Sequence, residues 1–315
     1  MKKRGILPFV IAFTLSIVFV GCNGVQPVLA AGDSVVIGVS LQNMTEEYMI
    51  ALENAINAKA AEYPNLRIIL NDAEGRTERQ VAQMDSFISQ GVDAIIICPW
   101  DAQALVQSVK NALAAGIPVV TLSADIEEKV GQVCITSENK DGGMIQAEYV
   151  MGAIGGKGKI AIFRGPFGSD PEIKRGAGYD EVIARFPDVE IVFNDTANWE
   201  REEAMAKMEN LLQVHSDLAA VICMDDGMAL GALQAVKAKG LLGEINISGM
   251  DAEPDALTSI EAGELNATCF QDAVGQGTGA VDLAMRMIAG EEVPEWTNIP
   301  FELITAENVA DYKNR

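Results

Sequence analysis

Histidine is almost absent from this sequence: His215 is the single one in 315 residues. That alone excludes a Ser-His-Asp triad, a Cys-His pair and any site built on several histidine ligands. No G-x-x-x-x-G-K-[ST] phosphate loop occurs. Gly155-Gly156-Lys157-Gly158 reads as a turn before a strand, and Gly275-Gln276-Gly277-Thr278-Gly279 as a close packing contact at a helix start. Cysteines are few and scattered; none forms a C-x-x-C pair, and Cys98, Cys134, Cys223 and Cys269 read as small buried hydrophobes. Positive charge is also scarce. Twenty-three basic residues face 45 acidic ones, for a net charge of -22, and such a surface repels nucleic acid and anionic membranes. No cofactor is expected. What remains for catalysis is the carboxylate pair Asp225-Asp226. Adjacent residues after a strand point different ways, so one is expected to receive ligand hydroxyls and the other to cap the following helix. The chain is therefore not expected to be an enzyme.

Long apolar runs are missing too, except at the start. Lys2, Lys3 and Arg4 precede an uncharged stretch from Ile6 to Val20, short against the roughly 20 residues of a membrane span but suited to a signal peptide. It ends Gly21-Cys22, which resembles a lipoprotein cleavage box in which Cys22 is acylated. Residues 1–22 are thus expected to be a lipoprotein signal peptide and 23–34 a tether. Cleavage after Ala30 without lipidation is the alternative. Either way the protein is expected to be exported to the extracytoplasmic face of the membrane or the periplasm.

From Val35 onward, short apolar runs alternate with helical patterns. Strands are expected at 35–41, 67–71, 94–98, 118–122, 132–136, 159–163, 189–194, 220–224, 245–250 and 267–271. Helices are expected at 47–63, 76–90, 102–115, 142–154, 171–185, 201–214, 227–239, 254–262 and 276–289. Continuous apolar strands between helices argue α/β architecture with parallel sheets covered on both faces. So many βα units fit two doubly wound parallel-sheet lobes better than one. Ligands of such sheets bind beyond the carboxyl ends of the strands. There the sequence places Gln42 and Glu46, Ser123, Arg175, Trp199, Asp225, Asp251 and Gln271. Polar side chains with one Trp and one Arg suit hydroxyl groups plus an apolar ring face.

Several stretches then resemble one family in order and spacing: VVIGVSLQNMTEEYMIALENAI (35–56), QGVDAIIICPWDAQAL (90–105), AAGIPVVTL (114–122), RGAGYDEVI (175–183), DDGMALGAL (225–233), ISGMDAEPDAL (247–257) and ATCFQDAVGQG (267–277). They are similar to the type I periplasmic binding proteins, in the ribose- and galactose-binding branch that serves ABC sugar transporters. The resemblance implies two lobes joined by three crossovers, near 137–139, 271–272 and 299–301. Residues 35–138 plus 272–299 would form one lobe and 139–271 plus 300–315 the other. It implies that Arg175 donates paired hydrogen bonds to sugar oxygens, that Asp251 accepts from two hydroxyls, that Gln271 contacts ligand near the hinge, and that Trp199 covers a sugar face. Tyr48 and Met49 fall on two usually aromatic positions. Three positions depart from the ribose pattern: Glu46 and Asp225 stand where Asn is found, and Ser123-Ala124 where Asp-Arg is common. These changes remove a cation and add carboxylates, which turns expectation from plain ribose toward another pentose, a hexose, a polyol or a ligand carrying an amine. The implied partner is a membrane permease powered by a separate ATPase, the binding protein itself being a monomer. A sensor subunit reporting the same ligand to a membrane receptor is the alternative.

Overall fold

A computed structural model describes residues 34–313; the signal-peptide, Cys22 and tether expectations lie outside these except for Ser34. The described chain runs β1 (Val35–Leu41), α1 (Glu47–Ala60), β2 (Leu66–Asp72), α2 (Thr77–Gln90), β3 (Ala94–Ile97), α3 (Val106–Ala114), β4 (Val119–Leu122) and β5 (Val133–Thr136). It continues with α4 (Asn139–Ala153), β6 (Lys157–Arg164), α5 (Asp170–Ile183), β7 (Asp188–Thr196), α6 (Arg201–Val214), β8 (Leu218–Cys223) and α7 (Asp226–Ala238). The last elements are β9 (Asn246–Ser248), α8 (Pro254–Glu261), β10 (Ala267–Phe270), α9 (Ala273–Ile288), β11 (Trp296–Asn298), β12 (Glu302–Thr305) and a 3-10 turn at Val309–Asp311.

The strands form two six-stranded sheets, ordered β11-β5-β4-β3-β1-β2 and β12-β10-β9-β8-β6-β7. Every pairing in the first is parallel; in the second only β12 runs antiparallel, against β10. The central strands are apolar because helices cover both faces: all of β3 and β4 is buried. The chain passes between the sheets three times, at Thr136 to Asn139, Phe270 to Ala273 and Asn298 to Glu302. Strands β11 and β12 escaped the sequence reading because they are short, and the exposed ends of β11 and β12 lack a continuous apolar run.

Glycines bring helices close where the site needs them. A Cβ on Gly143 of α4 would lie 2.3 Å from the Arg175 carbonyl of α5, and one on Gly178 would lie 2.4 Å from the Lys140 carbonyl. This pairing of α4 with α5 fixes the turn that carries Arg175. The glycine run 275–279 is a packing feature, as the sequence suggests: a Cβ on Gly277 would stand 2.8 Å from Ala55 Cβ of α1. Two helices begin earlier than expected. Helix α4 takes in Gly142 and Gly143 and starts at Asn139, and α9 starts at Ala273, capped by Asp272, whose side chain accepts from the Gly275 amide. Helix α3 begins later, because Asp101 Oδ1 accepts from the Gln103 and Ala104 amides and holds a turn there. Among the described residues, Cys98, Cys134, Cys223 and Cys269 are buried free thiols.

Candidate functional site

Between the carboxyl ends of the two sheets lies a cavity of about 370 Å³. All nine sequence-predicted positions line it: Gln42, Glu46, Tyr48 and Ser123 from the first-sheet side, Arg175, Trp199, Asp225 and Asp251 from the second, and Gln271 at a crossover. The volume suits one small molecule.

Arg175 is the organising group. It is 4% exposed. Its Nε donates to Asn139 Oδ1 at 3.0 Å, Nη2 to Gln271 Oε1 at 2.6 Å, and Nη1 to the Met224 carbonyl. Gln271 continues the chain across the crossover by donating from Nε2 to Ser123 Oγ at 3.0 Å. Arg175 also lies 6.0 Å from the Trp199 ring and 5.6 Å from that of Phe301, so its charge rests on aromatic faces rather than a carboxylate. Trp199 needs Gly165: a Cβ there would lie 2.0 Å from the indole.

The acids behave differently from one another. Asp225 caps α7, its Oδ1 accepting from the Met228 amide at 2.7 Å, while the residue lines the cavity. The division of labour expected for Asp225-Asp226 is therefore wrong in one respect. Asp225 both caps the helix and lines the cavity, and Asp226 turns inward to accept from the Glu253 amide at 2.9 Å and the Thr268 hydroxyl at 3.0 Å. Burial raises the Asp225 carboxyl to about 6. Burial likewise holds Asp251 well above the usual carboxylate range, although Arg175 pulls it down. Glu46 is raised by burial and then by the Asp225 and Asp251 charges.

The smaller roles differ from a simple contact set. Gln42 Nε2 donates to the Pro99 carbonyl at 2.6 Å, and the Tyr48 hydroxyl donates to Gln276 Oε1 at 3.1 Å. Both line the cavity with part of their bonding capacity already used. Arg164, at the end of β6, pairs with Glu172 at 2.7 Å and does not line the cavity. Sequence reasoning missed Glu200, Arg201 and Glu253, which also line it. Glu253 sits just before Pro254 at the start of α8; Glu before Pro at a helix start is the signal, and it reads first as a solvated cap. Backbone strain was also invisible. Ser123 (φ 63°), Asn198 (56°), Trp199 (64°), Asp251 (112°) and Ala252 (64°) occupy the positive-φ region that disfavours side chains, and all lie at or beside the cavity.

Residues 37–292 match the periplasmic binding protein domain. The chain belongs to that family. As a periplasmic binding protein it is a binding protein rather than an enzyme, and it works outside the cytoplasm. A Rhizobium meliloti protein assigned as a rhizopine-binding protein is 34% identical over 305 residues, covering 94% of this chain and 98% of that one. The ribose import binding protein of Bacillus subtilis is 32% identical, covering 85% and 87%. An ABC transporter solute-binding protein from Bacillus halodurans C-125, solved with myo-inositol, superposes with a TM-score of 0.86 at 36% identity, covering 90% of this chain and 98% of that one.

Proposed function

We propose that this periplasmic binding protein captures a monosaccharide or related polyol between its two lobes and delivers it to the permease of an ABC importer whose ATPase is a separate subunit. One lobe comprises 35–138 plus 272–299 and the other 139–271 plus 300–315. Cys22 carries the lipid that tethers the mature protein, a monomer, to the membrane.

The observation that supports this reading most is the cavity wall itself. Hydrogen-bonding groups from both sheets face one small space, and a ligand touching both walls favours the closed arrangement by the difference in contacts. Arg175 commits three donors to the protein, which leaves about two of a guanidinium's five for ligand oxygens. Asp251 and Asp225 accept from hydroxyls, and Trp199 covers an apolar ring face. The relatives named for ribose and the neighbour holding myo-inositol support the same ligand class. Glu46, Asp225 and Ser123, which break the ribose pattern, point to a ligand other than plain ribose.

A thermal-shift screen over pentoses, hexoses, amino sugars and polyols tests the reading. A ligand at 100 times its dissociation constant adds roughly 2.7 kcal/mol of stability. Absence of a shift with every compound contradicts it. Mass spectrometry of the membrane-extracted protein, with Cys22→Ala as control, tests the lipid anchor.

A further inference from the structure

The cavity holds more carboxyl groups than hydroxyl recognition requires. Glu46, Asp225, Asp251 and Glu253 face it from both sides. Arg175 commits three of its donors to neutral acceptors. The other lining cation, Arg201, reaches only to 4.0 Å of Glu253 and 3.6 Å of Asp255. Glu253 is 8% exposed, and its Oε2 has no hydrogen-bond partner. Glu46 Oε1, on the opposite wall, is equally shut off from solvent and unpartnered. Two carboxylates that line one cavity and each carry an orphaned buried oxygen are costly unless a ligand satisfies them. A hydroxyl donates one hydrogen bond and leaves the charge in place; an ammonium donates three and cancels it. A metal ion does not fit this arrangement, since no group of three or more His, Cys, Asp or Glu among the described residues is placed to hold one.

We infer that the ligand carries a protonated amine, and that Glu46 and Glu253 form its ammonium subsite while Arg175 and Asp251 grip its hydroxyls. The inference rests on the polyol reading above and narrows it to aminated polyols. Glu46 is faced by Asp225, Asp251, Glu200 and Glu253. Glu253 is faced by Asp251, Asp225, Asp226, Glu47 and Arg201. Acids thus outnumber the two lining cations, Arg175 and Arg201. As pH rises these acids ionise while the amine stays charged, so preference for the amine grows with pH.

Calorimetric titration tests this with myo-inositol, xylitol, the derivative of each in which a primary amine replaces one hydroxyl, and the N-acetylated forms of those amines. The amine member of at least one pair is expected to bind about 10- to 100-fold tighter than its neutral parent. The ratio should widen between about pH 5.5 and about pH 8, and N-acetylation should remove it. Glu253→Gln and Glu46→Gln should each shrink it about tenfold. If one of the two variants does not fold, the other and the N-acetyl comparison on the unaltered protein still decide. Neutral parents binding as tightly as the amines, or a ratio unmoved by either variant, overturns the ammonium subsite and leaves the polyol reading standing. If neither amines nor neutral polyols bind, the polyol reading falls, and the inference falls with it.

Discussion

The two walls of the cavity are built on different principles. On the first-sheet wall, Gln42, Tyr48 and Ser123 are bonded to Pro99, Gln276 and Gln271, so neutral groups largely satisfy one another. On the second-sheet wall, Arg175, Asp225, Asp251 and Glu253 are ionisable groups with open bonding capacity, and Trp199 and Asp251 sit on strained backbone. The difference teaches that burial alone does not make a binding residue. The first wall, Glu46 excepted, is pre-satisfied and shapes the space. The second holds most of the unsatisfied ionisable groups and most of the strained backbone, Ser123 being the strained residue of the first, so most affinity should reside there.

The largest effect that could break this contrast is Arg175→Ala. It strands Gln271, Asn139 and the Met224 carbonyl and removes the cation beside Asp251. Ligand binding should be lost beyond detection, with stability falling about 3–5 kcal/mol in urea denaturation. Asp251→Asn comes next. Affinity should fall about 100-fold by calorimetry, since a charge-assisted acceptor contributes about 1.5–3 kcal/mol, while the ligand-free protein should not lose stability, because a costly buried charge has gone. A variant that instead unfolds would make Asp251 a structural group like those of the first wall.

Gly165→Ala should be intermediate. Its Cβ collides with the Trp199 ring, so aromatic cover is displaced; affinity should drop about tenfold, and tryptophan fluorescence should change.

The acids also set a pH dependence. The unfolded chain releases carboxyl protons near pH 4, but burial keeps the Asp225 proton to about 6 and the Glu253 proton to about 9. Between these values the folded state binds more protons, so stability falls as pH rises. The ligand-free protein should melt several degrees higher at about pH 5 than at about pH 8, and Glu253→Gln should flatten the slope. The smallest effect is expected at Tyr48→Phe. It removes one neutral hydroxyl from the pre-satisfied wall and should cost about 1 kcal/mol of stability with affinity changed less than about threefold.

Most of the architecture was legible in the sequence, because buried parallel strands such as Ala94–Ile97 and Val119–Leu122 read as short, predominantly apolar runs between amphipathic helices. The edge strands Trp296–Asn298 and Glu302–Thr305 were not, being short and half exposed. Candidate residues were legible where side-chain type and strand-end position coincide, as at Asp225 and Asp251, whereas Arg175, inside α5, was placed by the family resemblance. Glu253 was missed because a glutamate before a helix-opening proline looks like an ordinary cap; only tertiary packing buries it against Asp226. The roles of Asp225 and Asp226 were not separable either, since which of two adjacent aspartates turns inward depends on the Thr268 hydroxyl 42 positions away.

Parallel calorimetric titrations of the unaltered protein, Asp251→Asn and Tyr48→Phe with the tightest polyol or aminopolyol test the central claim most directly. A single saturable site is expected, weakened about 100-fold by Asp251→Asn and less than about threefold by Tyr48→Phe. Equal losses at the two walls, or binding unaffected by Asp251→Asn, would contradict it.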